Sequence, residues 1–189
     1  MLILDQLKRE LHFEINARNE EKCIQLLHDF PILLNESLTA LGSTPFHRAC
    51  FKKFLPLCQF LIEQGADIHQ KDFVDQNAIH YASYSGSVAF IDYLHGLGLS
   101  LDEPDKNGRT SFLIALTRNS SFDVVAYFLE NGADINRETT AGGSIFTLNH
   151  RFDHTYFTPY MDQFNKENLK KFKKWRLKEV VEKGVSHVV

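Results

Sequence analysis

Two short segments of the chain place reactive side chains at spacings that chemistry could use. His150 and His154 are four residues apart, with Asp153 between them, so on a helix both imidazoles would lie on one face, as metal ligands do. Arg151, however, stands where zinc-protease helices carry a glutamate. Because nine histidines are scattered along the chain, one such pair is expected by chance, and we predict no metal site.

The second segment pairs a thiol with an imidazole. Cys50 follows His47 by three residues on the same predicted helix, as a Cys–His nucleophile pair would require. Both residues have structural explanations, since Cys50 falls on an apolar position of a helical pattern and His47 belongs to a repeated motif. The sequence also has no phosphate-binding glycine loop and no carboxylate pair set apart from the charged surface. We therefore predict no enzyme activity, no cofactor and no small-molecule substrate.

The cysteines indicate a reducing compartment. Cys23, Cys50 and Cys58 are odd in number and fall at apolar positions, whereas a disulfide framework needs an even set and an oxidising environment. We expect buried, reduced thiols in a cytoplasmic protein.

The composition is that of an ordinary globular chain with an uneven distribution of charge. Of the 189 residues, 43% are apolar and 16 are Phe, which excludes a disordered chain. No apolar run approaches the roughly 18 residues that span a bilayer, and the first residues lack the features of a secretory signal. From Asn165 onward, eight basic and three acidic residues give a net charge of +5. Because the whole chain carries −3, the preceding 164 residues carry −8.

An internal repeat organises most of this sequence. The segments 44–49 (TPFHRA), 77–82 (NAIHYA) and 110–115 (TSFLIA) follow one another at intervals of 33 residues. About twenty residues after each comes a second echo, at 65–68 (GADI), 98–101 (GLSL) and 132–135 (GADI), with apolar residues at helical spacing before it. Thr44 and Thr110 are good N-caps, Pro45 suits a first helical turn, and the glycines suit helix C-termini. The pattern therefore predicts that each unit forms two helices and a polar turn. Such a unit is too small to fold without neighbouring units.

These motifs resemble those of the ankyrin repeat family, whose pattern runs through T-P-L-H-x-A and G-A-D-I-N. The resemblance implies an all-α solenoid of helix-turn-helix repeats joined by β-hairpin-like turns. We expect a repeat domain at 1–150 and a C-terminal extension with a basic capping helix at 151–189. Within the domain we expect a divergent N-terminal cap at 5–37, with helices at 11–17 and 20–28, repeats at about 39–71, 72–104 and 105–138, and a degenerate repeat from 139.

Several positions depart from the family pattern. Leu113 replaces the motif histidine in the third repeat, so the side-chain bond to the backbone that this histidine makes should be missing there. Asp75 stands where the turn usually has Gly, and Lys53 and Asn119 replace the Gly between helices, which is a left-handed position.

The resemblance also implies a function, because ankyrin-like stacks bind other proteins through turn tips and concave helices. The aromatic residues among these positions are of the type enriched in interfaces, and Tyr81 would extend their strip. Alternatively, Phe51 and Phe73 fold back onto a neighbouring repeat. The predicted partner contacts are Leu41, Phe51, Lys52, Phe73, Val74, Gln76, Tyr84, Lys106, Asn107, Arg109 and Arg118.

The basic segment 165–183 admits three interpretations. As a cap, it would lay a ragged apolar face, with Leu169, Phe172, Val180 and Leu177, on the last repeat. As a surface helix, it would bind an anionic membrane or an acidic partner. As a nucleic-acid patch, it is disfavoured because the −8 body would repel phosphate. The residues for the second interpretation are Lys170, Lys171, Lys173, Lys174, Trp175 and Arg176.

We therefore expect a monomeric, non-enzymatic module that binds a partner protein. The alternative function is an adaptor, or an exported effector that acts in the cytosol of a host cell, in which the basic C-terminal helix contributes membrane or partner targeting.

Overall fold

The computed structural model describes residues 2–117, 121–148 and 154–182, with side chains omitted at 154–155 and 179–182. These residues form helices and turns with no strand among them, which confirms the predicted all-α solenoid. Arg118, Asn119, His150 and Asp153 lie outside the described residues, as does the side chain of His154.

The helices follow the predicted repeat. They are α1 (Leu2–Ala17), α2 (Glu20–Asp29), α3 (Pro45–Phe51), α4 (Leu55–Glu63), α5 (Ala78–Ser85), α6 (Val88–Gly96), α7 (Ser111–Thr117), α8 (Phe122–Glu130), α9 (Ile145–Leu148), α10 (His154–Phe157) and α11 (Lys166–Glu182). Two 3-10 helices, Pro31–Asn35 and Thr158–Gln163, follow α2 and α10.

The first helix is longer than predicted. It begins at Leu2 rather than at Leu11, because an apolar stripe with Leu4, Leu7, Leu11 and Ile15 continues at helical spacing and packs against the core.

Reciprocal hydrogen bonds fix the start of the first helix in two repeats. The Thr44 hydroxyl accepts from His47 N (3.4 Å), while Thr44 N donates to His47 Nδ1 (3.2 Å). Asn77 and His80 make the same pair of bonds. Both arrangements satisfy backbone N–H groups that a helix start leaves unpaired.

The next two repeats change this device. In the third, Leu113 leaves only the bond from its own N–H to the Thr110 hydroxyl (3.3 Å), so the predicted loss of the histidine bond is confirmed. In the degenerate repeat, Ser144 N donates instead to the Thr147 hydroxyl (2.9 Å). Thr147 occupies the position of the motif histidine, and its shorter side chain provides the acceptor.

Left-handed residues end the helices where the pattern predicted them. Gly65, Gly98 and Gly132 follow the second helices with φ of 84°, 92° and 82°, a conformation that glycine adopts without strain. Lys53 and Asp75 adopt φ of 54° and 63°. Lys53 and Asp75 therefore adopt the left-handed backbone conformation, which costs free energy for most residues other than glycine.

Stacking of the hairpins builds one continuous core. α3 lies between α1 and α5, and α7 lies between α5 and α9. Phe46, Ile79 and Phe112, at matching positions of successive repeats, are fully buried, and Phe112 packs against Phe128 of its own repeat. The core therefore runs along the stack instead of closing within one repeat.

The basic helix α11 closes the C-terminal end of this core. Phe172 is fully buried and stacks on Phe164, with ring centroids 5.1 Å apart. Trp175 packs against Phe146 at 6.1 Å and Phe157 at 6.0 Å. Leu177, in contrast, is 61% exposed. The buried face therefore uses Trp175 where the sequence analysis placed Leu177, and Val180 lies outside the described side chains.

This packing gives Trp175 an internal role besides the membrane or partner contact predicted for it. Its ring packs against α9 and α10 and is half-buried, so most of it faces the core.

The buried histidines predict a dependence of stability on pH. Burial lowers the pKa of His47 to about 4 and also lowers the pKa of His80. Between pH 6.5 and the folded-state pKa, the unfolded chain binds more protons, so the free energy of unfolding should fall as pH falls through this window. Each histidine contributes at most about 1.4 kcal/mol per pH unit. Urea unfolding at a series of pH values measures the slope.

A substitution copied from the third repeat separates His47 from other titrating groups. His47→Leu, which mimics Leu113, should lower stability at neutral pH and make the acid slope shallower, compared with the unsubstituted chain. An unchanged slope in His47→Leu would contradict this assignment.

The closing helix makes a second prediction. Phe172→Ala should lower the free energy of unfolding by about 3 kcal/mol, because it empties a fully buried aromatic site. Leu177→Ala, on the same helix, should change it by less than about 0.5 kcal/mol because this side chain is exposed. Equal effects in urea unfolding would show that α11 does not pack as described.

Candidate functional site

Four turns connect the repeats, and a side chain at the start of each shapes its tip. Asp72 Oδ1 accepts from Val74 N and Gln76 N, both at 2.9 Å. Asp105 makes the equivalent bonds to Asn107 N (2.8 Å) and Arg109 N (2.9 Å). Thr39 and Thr139 serve the first and last turns, where their hydroxyls accept from the N–H four residues on. Aspartate and threonine suit this role because short side chains reach nearby backbone N–H groups.

Backbone hydrogen bonds join each tip to the next. Phe73 N donates to Leu41 O (2.8 Å), Lys106 N donates to Val74 O (3.0 Å), and Thr140 N donates to Asn107 O (2.9 Å). The tips therefore form one connected row, as the predicted hairpin-like turns require. These backbone groups are engaged within the row, so its outer surface is offered mainly as side chains.

A recess of about 330 Å³ lies between this row and the first helices of the first two repeats. It is lined by Leu41, Arg48, Phe51, Gln76, Tyr81 and Tyr84. Four of these residues were predicted as contacts from the sequence. Arg48 was missed, and its signal was its place at the variable fifth position of the T-P-x-H-x-A motif.

Arg48 is held at the edge of the recess by two neighbours. Its guanidinium lies 5.1 Å from the centroid of the Phe51 ring, within the range of a cation–π contact. Its Nη2 donates to Asn16 Oδ1 on α1 (2.8 Å). Phe51 is 37% exposed, and half-buried Lys52 follows at the end of α3.

Phe73 folds back onto the preceding turn tip, as the alternative interpretation expected, and yet remains exposed. A Cβ added to Gly42 would lie 2.7 Å from the Phe73 ring, so the ring covers the glycine of the preceding tip. The side chain nevertheless remains 62% exposed. Leu41, beside Gly42 on the same tip, is 58% exposed, so two large apolar side chains stand at neighbouring tips.

Gln76 differs from its predicted role as a partner contact. It is only 5% exposed, and its Nε2 donates to Asp105 Oδ2 (2.9 Å) and to Tyr84 Oη (3.1 Å). Gln76 therefore braces two adjacent turns, and the turn position that the family resemblance marked as a partner contact is buried. Tyr81 also leaves the predicted aromatic strip, because it is buried and donates to Asp72 Oδ2 (2.8 Å).

The third turn presents three more of the predicted contacts. Lys106 and Asn107 are exposed, and Lys106 Nζ donates to Phe73 O (2.7 Å). Val74, on the second turn, is half-buried. Arg109 contacts Asp105 Oδ2 through Nε (2.9 Å) and Nη2 (2.8 Å). A second recess, of about 610 Å³, continues along the row and is lined by Asn107, Arg109, Thr117, Thr139, Thr140, Ala141 and Leu148.

Asp105 is the central carboxylate of this surface. Burial opposes its ionisation, but hydrogen bonds from Gln76, Arg109 and Asn107 outweigh burial and hold the pKa of the carboxyl below its usual range. The charged form of Asp105 is therefore the one that organises the third turn.

Of the residues considered for chemistry, the structure describes Cys50 and His47, whereas the His150–His154 pair lies outside the described side chains. Cys50 is fully buried, with its Sγ 3.8 Å from Cys58 Sγ, and burial raises its thiol pKa, which opposes formation of the nucleophilic thiolate. Within the part of the chain that the structure describes, no group of three His, Cys, Asp or Glu side chains could hold a metal ion.

The basic helix presents its lysines on its outer side. Lys170, Lys173 and Lys174 are exposed, and Arg176 is half-buried. Lys171 pairs with Glu138 (3.2 Å) and Glu167 (3.1 Å). Among the described residues, no helix is both long enough and apolar enough to cross a bilayer.

Stacked helical hairpins with a row of linked turn tips define a repeat protein of the interaction-module class. A family model described as "Ankyrin repeat" matches residues 41–73, and one described as "Ankyrin repeats (many copies)" matches residues 79–129. The chain belongs to the ankyrin repeat family.

Curated relatives carry the same repeats within longer proteins. The chain is 36% identical over 126 residues to a Saccharomyces cerevisiae protein named "Probable 26S proteasome regulatory subunit p28", a match that covers 65% of this chain and 54% of that protein. It is 30% identical over 99 residues to the rat "Ankyrin repeat and SAM domain-containing protein 6", covering 51% of this chain and 11% of that protein. The chain thus spans about half of the yeast relative and about a tenth of the rat one.

A further match is to an enzyme. The chain is 25% identical over 168 residues to "Palmitoyltransferase AKR1" of Lachancea kluyveri, covering 68% of this chain and 23% of that protein. Together, the family and these relatives support a protein-interaction module.

Asp105 makes a prediction about the site. Asp105→Ala should lower the free energy of unfolding by about 3 kcal/mol, because it removes a buried carboxylate that accepts bonds from Gln76, Asn107 and Arg109. Exposed Glu63→Ala changes the net charge equally and should cost less than about 0.5 kcal/mol. Similar losses in urea unfolding for both variants would show that Asp105 does not organise the turns.

Proposed function

We propose that this chain binds a partner protein in the recess between its first two turn tips and helices α3 and α5. The observation that carries the proposal is the cluster of exposed large side chains at this one place. Leu41 and Phe51 line the recess beside the Arg48 guanidinium and present apolar surface, and Phe73 is exposed on the neighbouring turn tip. Aromatic residues and arginine are the types that contribute most to binding at interfaces.

The way in which the row is bonded supports binding through side chains. The backbone N–H groups of Phe73, Lys106 and Thr140 already donate to the preceding tip, so these groups are not offered to an added strand. A partner would instead insert side chains between the tips and the first helices. Because the tips are linked before binding, little ordering of the backbone would oppose association.

The yeast relative suggests the setting of such an interaction. Its printed name describes a probable regulatory subunit of the 26S proteasome, which is a component of a larger assembly. We infer that the present chain works in the same general way, as a non-enzymatic component that docks on another protein, although it spans only about half of that relative.

Site-specific photo-crosslinking tests where the partner sits. Benzoylphenylalanine is introduced singly at Leu41, Phe51 or Phe73, and at the exposed α4 positions Gln59 and Glu63 as controls. After irradiation in cell lysate, the probes at Leu41, Phe51 and Phe73 should give the same discrete protein adduct, which is identified by mass spectrometry. The α4 positions should not give it.

The competing outcomes are distinct. Adducts confined to Gln59 or Glu63 would move the binding surface to the second helices. The full-chain variants must first show unchanged thermal stability. If none of the probes at Leu41, Phe51 and Phe73 then gives a discrete adduct, the proposed surface is refuted.

A further inference from the structure

Arg48 carries a positive charge that the described part of the molecule does not neutralise. Its contacts are the Asn16 amide oxygen (2.8 Å) and the face of the Phe51 ring. No carboxylate of the described residues lies within ion-pair distance of it, and its Nε is shielded from solvent without a hydrogen-bond partner. A guanidinium that no carboxylate neutralises, that two neighbours orient and that lines the recess is well suited to receive an anion.

Two further cationic side chains stand near the same junction of α1 and α3. Lys52 follows Arg48 by one helical turn, directly after α3. His12 on α1 is not counted among these cations, because burial first and then the charges of Arg48 and Lys52 lower its pKa. Arg18, at the end of α1, lies over the Phe54 ring and donates to Lys53 O (3.3 Å). The junction of α1 and α3 is therefore locally positive.

The buried carboxylates near the recess are already bonded within the protein. Asp72 accepts from Tyr81 and from its own turn, and Asp105 is paired with Arg109. The 164 residues that precede Asn165 carry −8 in total. A positive spot on such a body would attract negative groups locally, while the rest of the surface would repel an extended polyanion.

From this geometry we propose that the recess binds a partner segment in which an aspartate or glutamate stands next to an apolar side chain. The carboxylate pairs with the Arg48 guanidinium, with Lys52 adding positive potential, and the apolar side chain enters the recess between Leu41, Phe51 and Tyr84. This proposal rests on the proposed function and adds the chemistry of the partner to it. The Phe51 ring favours binding of both the acidic and the apolar side chain of such a segment, since it stacks on Arg48 and offers apolar surface beside it.

Selection from a library of random linear peptides displayed on phage tests the chemistry directly. The full chain is the bait, and each selected peptide is then synthesised and its affinity is measured by fluorescence anisotropy at low and high salt. Selected peptides should share an acidic residue next to an aromatic or aliphatic one. Their affinity should fall as salt is raised, because the ion pair lies near the surface.

Variants identify the side chain that recognises the acid. Arg48→Gln should weaken binding of a selected peptide roughly tenfold or more, and Lys52→Gln should weaken it less. Lys173→Gln removes an exposed charge on α11 and should leave affinity unchanged. Arg48→Glu should bind the original peptide least and should recover binding when the acidic residue of that peptide is replaced by Arg.

Each alternative result overturns the proposal. Selected peptides without an acidic preference, or equal losses in Arg48→Gln and Lys173→Gln, would show that Arg48 does not recognise a carboxylate. If Arg48→Gln loses its fold by circular dichroism, Lys52→Gln and the salt dependence of peptide binding to the unsubstituted chain decide the question. Crosslinking at Leu41 and Phe51 with a partner segment that lacks acidic residues would keep the proposed function and reject this chemistry.

Discussion

Each two-helix unit of about 33 residues can bury its apolar residues only against neighbouring units, and the rest of the structure depends on this constraint. Phe46, Ile79 and Phe112 are buried because successive first helices lie side by side. The two ends of the stack then need covers. α1 and α2 supply one, and Phe172 and Trp175 of α11 supply the other. The positive charge of α11 is compatible with this role because its lysines remain on the outer side.

The same stacking positions the candidate binding surface. Repeats placed in register bring their turns together, and the bonds between neighbouring tips align Leu41, Phe73 and Lys106 in one row. Beneath the row, Gln76 connects one turn to the buried Asp105 carboxylate of the next. Exposed side chains are thus carried by a backbone whose geometry is fixed by buried polar bonds, as a surface for specific recognition requires.

The spacing of the motifs was sufficient to predict the fold, because turns, caps and apolar stripes recur at fixed intervals. Individual roles were harder to predict. Gln76 is polar at a turn, yet its amide is buried through bonds to residues of a neighbouring turn and helix, which a linear pattern does not reveal. Arg48 was missed because its role arises from Asn16, 32 residues away. Trp175, instead of Leu177, faces the core because the aromatic residues of α9 and α10 lie on that side.

The motif histidine is present in the first two repeats and absent from the third, and this difference affects how the stack unfolds. His80 Nε2 contacts Arg109 O of the following repeat (3.1 Å), whereas Leu113 has no polar atom with which to make such a tie. Cooperativity in a linear array depends on nearest-neighbour coupling, so the tie from His80 strengthens the junction between the second and third repeats. His47 Nε2, in contrast, is buried without a hydrogen-bond partner among the described residues, so the second and third repeats should separate from each other last when the stack opens in parts.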